Sequence, residues 1–444
     1  MTTALAPVRH RPFRLLVAGR AANMLGNGVA PIALAFAVLG ITGSVTQLGV
    51  VVAARTLFNV VFLLFGGVVA DRMPRGLVLV GSSVLSALSQ GLVATLVLTH
   101  EATVPRLLVL SALNGTFAAF ALPASGALLP QTVPAEERLS ANALNRMAAN
   151  GAMIGGAALG GVVVGVCGPG WGLAIDAATF ACAGLLFALV RVPALGGDAA
   201  TDGSGGGAKP SLVRELREGW QEFALRRWVW VIVLGFGFLN AAFSGAVEVL
   251  GPSVAKSSFG SGGWGLVLAC ETVGMVVGGV IGLRFRPRRL LLVGTSCMAA
   301  AALLPTALAL GLPLPVLAGC NLLAGVCIEQ FGIAWETSLQ QEIPEDRLAR
   351  VYSYDALGSF AVIPLAQATV GPLSAALGVH ATLLVAGAVI FLCAVGMVSV
   401  PEVRALRVRT PDTAVAADTA SAADTAVAVV AGPLPADAVA TDPA

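Results

Sequence analysis

Hydrophobic positions in this chain are gathered into long, nearly unbroken runs, and most charged positions fall in the short stretches between them. Runs of about 20 apolar residues are long enough to cross a bilayer as helices. Twelve can be marked off, at about 14–39, 46–70, 77–98, 104–128, 141–166 and 171–191, then 228–250, 262–283, 290–311, 313–335, 351–376 and 380–400. The pattern predicts an all-α membrane protein of twelve transmembrane helices in two six-helix bundles. Its expected parts are an N-terminal segment 1–12, a first bundle 13–192, a connecting segment 193–227, a second bundle 228–402 and a tail 403–444. Within the connection, 193–210 is rich in Gly, Ala, Asp and Ser and reads as a flexible linker. Ser211–Arg227 reads as an amphipathic helix, with Leu212, Leu216, Trp220 and Phe223 on one stripe and Arg214, Glu215, Arg217, Glu218 and Glu222 opposite. It suits the membrane surface, with a regulatory binding helix as the alternative. The tail repeats Ala, Asp, Thr, Val and Pro without an aromatic residue and is expected to be disordered.

Composition narrows the class further. The chain is 57% hydrophobic and 11% charged, which fits lipid-facing helices and excludes an ordinary soluble domain. A net charge of +2 carries no nucleic-acid signal, and the seven cysteines, without paired spacing or partnering histidines, read as small buried hydrophobes. The first apolar run follows Arg9, Arg11 and Arg14 but is too long for a signal-peptide core, so it reads as a retained span. When the connections are assigned alternately, one side collects almost all of their Lys and Arg and the other only Arg106 and Lys256. The positive-inside rule then predicts both termini and the central connection in the cytoplasm.

The halves echo one another. Leu129-Pro130-Gln131 to Leu139 returns as Leu339-Gln340-Gln341 to Leu348, and Gly66-Gly67-Val68-Val69 leading to Pro74-Arg75 returns as Gly278-Gly279-Val280-Ile281 leading to Pro287-Arg288. Both echoes share one offset, of about 210 residues, which is the signature of two parallel six-helix repeats.

One connection carries more than a turn requires. Gly66 to Leu77 holds the pattern Gly-x-x-Ala-Asp-Arg-x-x-Arg, with Gly67, Asp71, Arg72 and Arg75, between spans 2 and 3. By residue chemistry alone it is a tight positive-inside turn in which Asp71 caps a helix start. The pattern also resembles the loop between helices 2 and 3 of the major facilitator superfamily. With Pro134 to Asn142 and the Ala53-Ala54-Arg55 opening of span 2, the stretch from about 12 to 402 is similar to the bacterial exporter branch of siderophore and macrolide efflux proteins. The resemblance implies alternating access in the bacterial inner membrane, a cytoplasmic gate of Gly67, Asp71, Arg72 and Arg75, and helices 3, 6, 9 and 12 at the periphery. The second copy lacks the acid, so the gate chemistry is asymmetric.

Ionisable groups inside a bilayer cost about 2.5–3.5 kcal/mol on insertion scales and mark function. The candidate substrate and proton pathway is Arg20, Asn23, Asn27, Arg55, Asn59, Asn114, Arg146, Glu271, Glu329 and Gln330. Arg55 is placed to meet a substrate anion or an acidic partner. Arg20 can instead snorkel to the membrane surface. Glu271 reads as a proton carrier or as a structural partner of an arginine, and Glu329 and Asp355 as inner-gate groups. Glu248 and Asp176 read as lying near the outer ends of their helices. Gly151, Gly155, Gly156 and Gly160 of span 5 suit close helix packing. The family's exporters carry a Gly-Pro pair in span 5 and an arginine in span 4; this chain has neither at those places, so Arg55 or Arg146 would have to serve in the coupling.

The expected function is export of a hydrophobic or amphipathic small molecule by proton antiport. Uptake by symport, or a transport-dead sensor or scaffold, is the alternative. No enzyme chemistry, metal or cofactor is indicated: the partners are substrate, protons and lipid, no nucleic acid, and the energy source is the proton gradient acting on a monomer. If the Asp71 loop is a gate, Asp71→Ala lowers the turnover rate more than it weakens substrate affinity, measured as separate maximal rate and half-saturation in vesicle uptake.

Overall fold

A computed structural model describes residues 5–190, 223–285, 287–343 and 345–407. The side chains of 64–72, 75, 122–127, 130, 135, 139, 345–350 and 353 lie outside the described set. So do the linker, most of the expected amphipathic helix, the tail, and the side chains of Asp71, Arg72 and Arg75.

Twelve long helices follow the predicted runs closely. In the first half they are α1 (Arg11–Thr42), α2 (Val45–Arg72), α3 (Arg75–Leu98), α4 (Val104–Leu128), α5 (Arg138–Cys167) and α6 (Pro169–Ala188). In the second half, α7 spans Arg227–Ser258, α8 Gly260–Arg284, α9 Leu290–Ala309 and α10 Leu314–Glu342. Two consecutive pieces, Glu345–Phe360 and Ile363–Leu377, make α11, and Val379–Ser399 is α12. No strand occurs among the described residues. An even number of spans returns the chain to the face it started from. We call it the arginine-rich face.

Prolines and glycines set the irregularities. The turn between α2 and α3 is only Met73-Pro74, with Pro74 extended (φ −55°, ψ 121°) and its carbonyl accepting from Leu77 at 2.9 Å. Asp71 therefore lies in the last turn of α2, not at a helix start as the sequence suggests, because Pro74 is suited to open the next helix and takes that place. In α7, Gly245–Leu250 is a π-helical turn in which Gly251 N–H bonds to Ala246. Pro252 follows, with no N–H to offer the carbonyl of Glu248, and the wider turn accommodates that loss. The break in α11 at 361–362 has the same cause, since Pro364 cannot donate to the carbonyl of Phe360.

Three apolar cores form among the described residues. One spans both halves on the arginine-poor side, joining Leu34, Val38, Leu48 and Val51 to Val247, Leu250, Trp264, Leu308 and Val370. The other two are separate and lie towards the arginine-rich face. Phe13, Leu16, Leu79, Leu129 and Phe187 form the core of the first half, and Trp228, Val229, Trp335, Leu339 and Met397 that of the second. The bundles thus share one apolar core, a weld between them, at one end and keep separate cores at the other. The weld is tightened where α5 meets α8 and α2 meets α11. Ser261 Oγ donates to the Gly161 carbonyl at 3.0 Å, and Lys256 Nζ to the Leu39 carbonyl at 2.7 Å.

Close backbone contacts explain several glycines. Gly156 and Gly160 of α5 press on Leu25 and Val29 of α1, and Gly161 presses on Gly265 of α8. Gly151 and Gly155, expected to serve the same packing, face open space, because the 3.6-residue turn carries them off the face that meets α1. Gly115 of α4 lies against the carbonyl of Arg55, and Gly325 of α10 against the carbonyl of Glu271. Gly115→Ala should therefore lower stability by about 1–3 kcal/mol through overpacking. Gly155→Ala should leave it unchanged or slightly raised; thermal unfolding in detergent distinguishes the two.

Candidate functional site: a central cavity open to one face

The cavity between the halves has a volume of about 600 Å³, in the range of small-molecule sites. Its wall is largely apolar, with Met24, Leu34, Val52, Met153, Phe180, Phe243, Val247 and Leu268. Against this wall stand Arg20, Asn23 and Asn27 from α1, Arg55 and Asn59 from α2, Glu248 from α7 and Glu271 from α8. Leu79 and Phe187, near the arginine-rich ends of α3 and α6, also line it, and the apolar weld closes the other end. The described cavity therefore opens towards the arginine-rich face.

Charge is divided between the halves. Both arginines come from the first bundle and both glutamates from the second. Arg55 and Glu271 occupy matching places in the two repeats: each sits where its helix is pinched by a glycine of the neighbouring helix, Gly115 or Gly325. Neighbouring amides fix the site. Asn59 Nδ2 donates to the Gly115 carbonyl at 3.1 Å, tying α2 to α4 beside Arg55. Asn321 Nδ2 donates to the Glu271 carboxylate at 3.2 Å and to the Val267 carbonyl at 2.8 Å.

Glu248 is the residue that sequence reasoning placed wrongly. It lies on the π-helical turn, on the cavity wall rather than near the outer end of its helix, and its carboxylate accepts from Gln367 Nε2 at 2.9 Å. Gln367 also donates to Ser244 Oγ at 2.8 Å, and its own carbonyl lies under Gly49 of α2. The α2–α11 contact that closes the arginine-poor side thus positions the amide that holds Glu248. The signal in the sequence was Pro252, four residues after an acid inside an apolar run.

Four of the predicted pathway residues are elsewhere. Asn114 is buried and donates to Ser89 Oγ at 3.3 Å, and Gln330 donates to the Gly278 carbonyl at 2.6 Å; each ties two helices of one bundle together. Arg146 and Glu329 meet each other across the halves at 3.4 Å, towards the arginine-rich face and apart from the cavity wall. Asp355 accepts from Trp335 Nε1 at 2.9 Å and Ser359 Oγ at 3.1 Å, within the second-half core. The cavity in turn recruits residues from helices expected at the periphery: Ser82, Ser83 and Ser86 from α3, and Phe180 and Phe187 from α6. The helical spacing of Ser82, Ser86, Ser89 and Gln90 was a readable sign that α3 carries a polar face.

Two six-helix bundles around a largely apolar cavity with a few charged groups, closed at one end and open at the other, define a multi-pass membrane transporter. The sequence pattern of the Major Facilitator Superfamily matches residues 16–354, and the chain belongs to that family. Macrolide efflux protein A of Streptococcus pyogenes is 21% identical over 404 residues, covering 89% of this chain and 97% of that protein. Among solved structures, a variant of the nucleoside transporter NupG superposes with a TM-score of 0.70 at 14% identity, covering 88% of this chain and 99% of that one. A D-xylose–proton symporter superposes at 0.64 and 16% identity, covering 89% and 99%.

The Arg146–Glu329 pair is half in water, with the arginine side chain 66% exposed. Such a pair is worth at most about 1 kcal/mol. Arg146→Ala should accordingly shift the balance between open and closed states by less than about fivefold, and the charge-swapped double variant should restore it. Distance distributions between spin labels on α5 and α10 measure both.

Proposed function

We propose that this transporter exports an amphipathic small molecule bearing a basic group, by alternating access coupled to proton entry, with the arginine-rich face in the cytoplasm of a bacterial inner membrane. The observation that carries the reading is an apolar cavity whose second-half wall presents two carboxylates, Glu248 and Glu271. A carboxylate on a largely apolar wall inside a membrane favours a proton or a cation beside it. A protonated amine on the substrate and protons from outside would therefore compete for the same two groups, which is the requirement for antiport. Apolar walls accept the body of such a molecule without demanding one shape. The Lys and Arg bias supports the orientation, and the similarity to macrolide efflux protein A supports the outward direction.

The cycle follows from the cores. Substrate enters the cavity from the arginine-rich face and displaces protons from the acids. The bundles then rock so that their free ends meet, with Asp71, Arg72 and Arg75 as the proposed clamp, while the weld at the other end parts. Parting moves α2 from α11 and so releases Gln367, which links opening of that side to the environment of Glu248.

Purified protein in vesicles, supplied with a panel of lipophilic amines and their neutral and anionic analogues, tests the reading. Amines should move against their gradient when protons flow the other way, and Glu271→Gln should reduce that flux at least tenfold while substrate exchange without a gradient persists. Flux with no dependence on the pH gradient, or accumulation in the same direction as proton flow, overturns it; the second outcome is proton-coupled uptake.

A further inference from the structure

Asp176 takes no part in the cavity wall, yet it is the most deeply buried acid among the described residues, at 0% exposure. It lies seven residues inside α6, about 10 Å from the helix start, and not near the outer end. Both carboxylate oxygens are enclosed and neither has a hydrogen-bond partner. The side chain crowds Gly26 of α1, where only the missing Cβ leaves room for it, and Thr179 Oγ1 crowds the same point but donates to the backbone carbonyl of Asp176 instead. Asn23, one turn from Gly26 on α1, also keeps an enclosed oxygen without a donor. At this seam between α1 and α6, three enclosed acceptor oxygens, two of Asp176 and one of Asn23, receive no hydrogen bond.

An ionised carboxylate with no donor and no counter-ion in such a place costs several kcal/mol. Few groups could compensate it. Of the helices packed against α6, α3 places Gly91 beside Ala177, α5 places Val164 beside Gly172, and α1 places Gly26 against the carboxylate itself, with Asn23 and Asn27 on either side of Gly26 and Arg20 nearly two turns away. The charge that reaches Asp176 is Arg55 on α2, and the field of Arg55 also reaches Glu248. Arg55 itself has no side-chain hydrogen bond or ion pair among the described residues. Arg55 therefore stands on the cavity wall with Glu248 and is bonded to neither acid.

We propose that Asp176 is a second proton-exchange site, placed in the first bundle, which competes with Glu248 for Arg55. In the conformation seen, the Asp176 carboxyl holds a proton, and Arg55 is left to the cavity and Glu248. When the O–H bond breaks, the proton passes through the Asn23–Asn27 wall to water in the cavity. The electron pair stays on the carboxylate, and Arg55 turns towards it. Glu248 then loses its cation and takes up a proton or the basic group of a substrate. The use of this exchange in coupling rests on the antiport reading above; the exchange itself does not.

Two measurements test it. Infrared spectra of the purified wild type in lipid should contain a protonated-carboxyl band that titrates with pH and is missing in Asp176→Asn. In Arg55→Gln the band should be present but no longer respond to pH. In vesicles, the number of protons moved per substrate should fall in Asp176→Asn while substrate binding stays within about twofold of wild type. A band in wild type that Asp176→Asn leaves intact, or one that never titrates, overturns the proposal whatever the transport assay shows. An Asp176→Asn protein that unfolds at a lower temperature but keeps the wild-type proton count assigns Asp176 a purely structural role, which also overturns it. If the band titrates as expected while wild-type flux ignores the pH gradient, the antiport reading fails and the exchange site stands.

Discussion

The apolar core that joins the two bundles on the arginine-poor side is the contact on which the rest of the structure depends. Helix association in lipid gains little from the hydrophobic effect and relies on close packing. Here that packing is concentrated at one end, where Gly161 lies on Gly265, Gly49 on Gln367 and Gly371 on Thr46. Towards the other face each bundle keeps its own core, so the described halves can part there without exposing a shared interior. The shape of the cavity, its opening and the position of its charges all follow from this unequal distribution of contact.

The same joint sets the electrostatics. Each bundle brings its own sign of charge to the cavity, and the weld holds Arg55 opposite Glu248 and Glu271. Glycines at the helix crossings bring the backbones of Arg55 and Glu271 against their neighbours, and both side chains line the cavity. Amides take the remaining work: Gln367 on Glu248 and Asn321 on Glu271 are neutral donors that orient an acid without neutralising it. An acid so held remains able to exchange a proton or a cation.

Much of this was legible in the chain. The twelve apolar runs gave every spanning helix, and the observed bounds extend them mainly at the polar ends, as in α5 from Arg138 and α10 to Glu342. Arg20, Asn23, Asn27, Arg55, Asn59 and Glu271 were picked out as polar groups in apolar runs and do line the cavity. The same criterion also picked Asn114 and Gln330, which the structure uses inside a bundle, because a buried amide satisfied by a neighbouring helix has the same sequence context as one facing a cavity. Glu248 was misplaced because a regular helical count does not anticipate the π-helical turn, and Asp176 because nothing local marks Gly26, far away in sequence, as the gap that receives it.

By itself the sequence determined the membrane class, the number of spans, the twofold repeat and the side on which charge accumulates. These depend on the apolar and basic content of consecutive residues, and a bilayer reads that content segment by segment. Tertiary structure alone decided which end of the bundles is closed, which acids line the cavity, and which glycines are contacts. Those depend on the rotation of each helix about its axis and on residues about 150 to 320 positions apart, such as Gly26 with Asp176 and Gly49 with Gln367, meeting at one depth, and no local pattern encodes such a meeting.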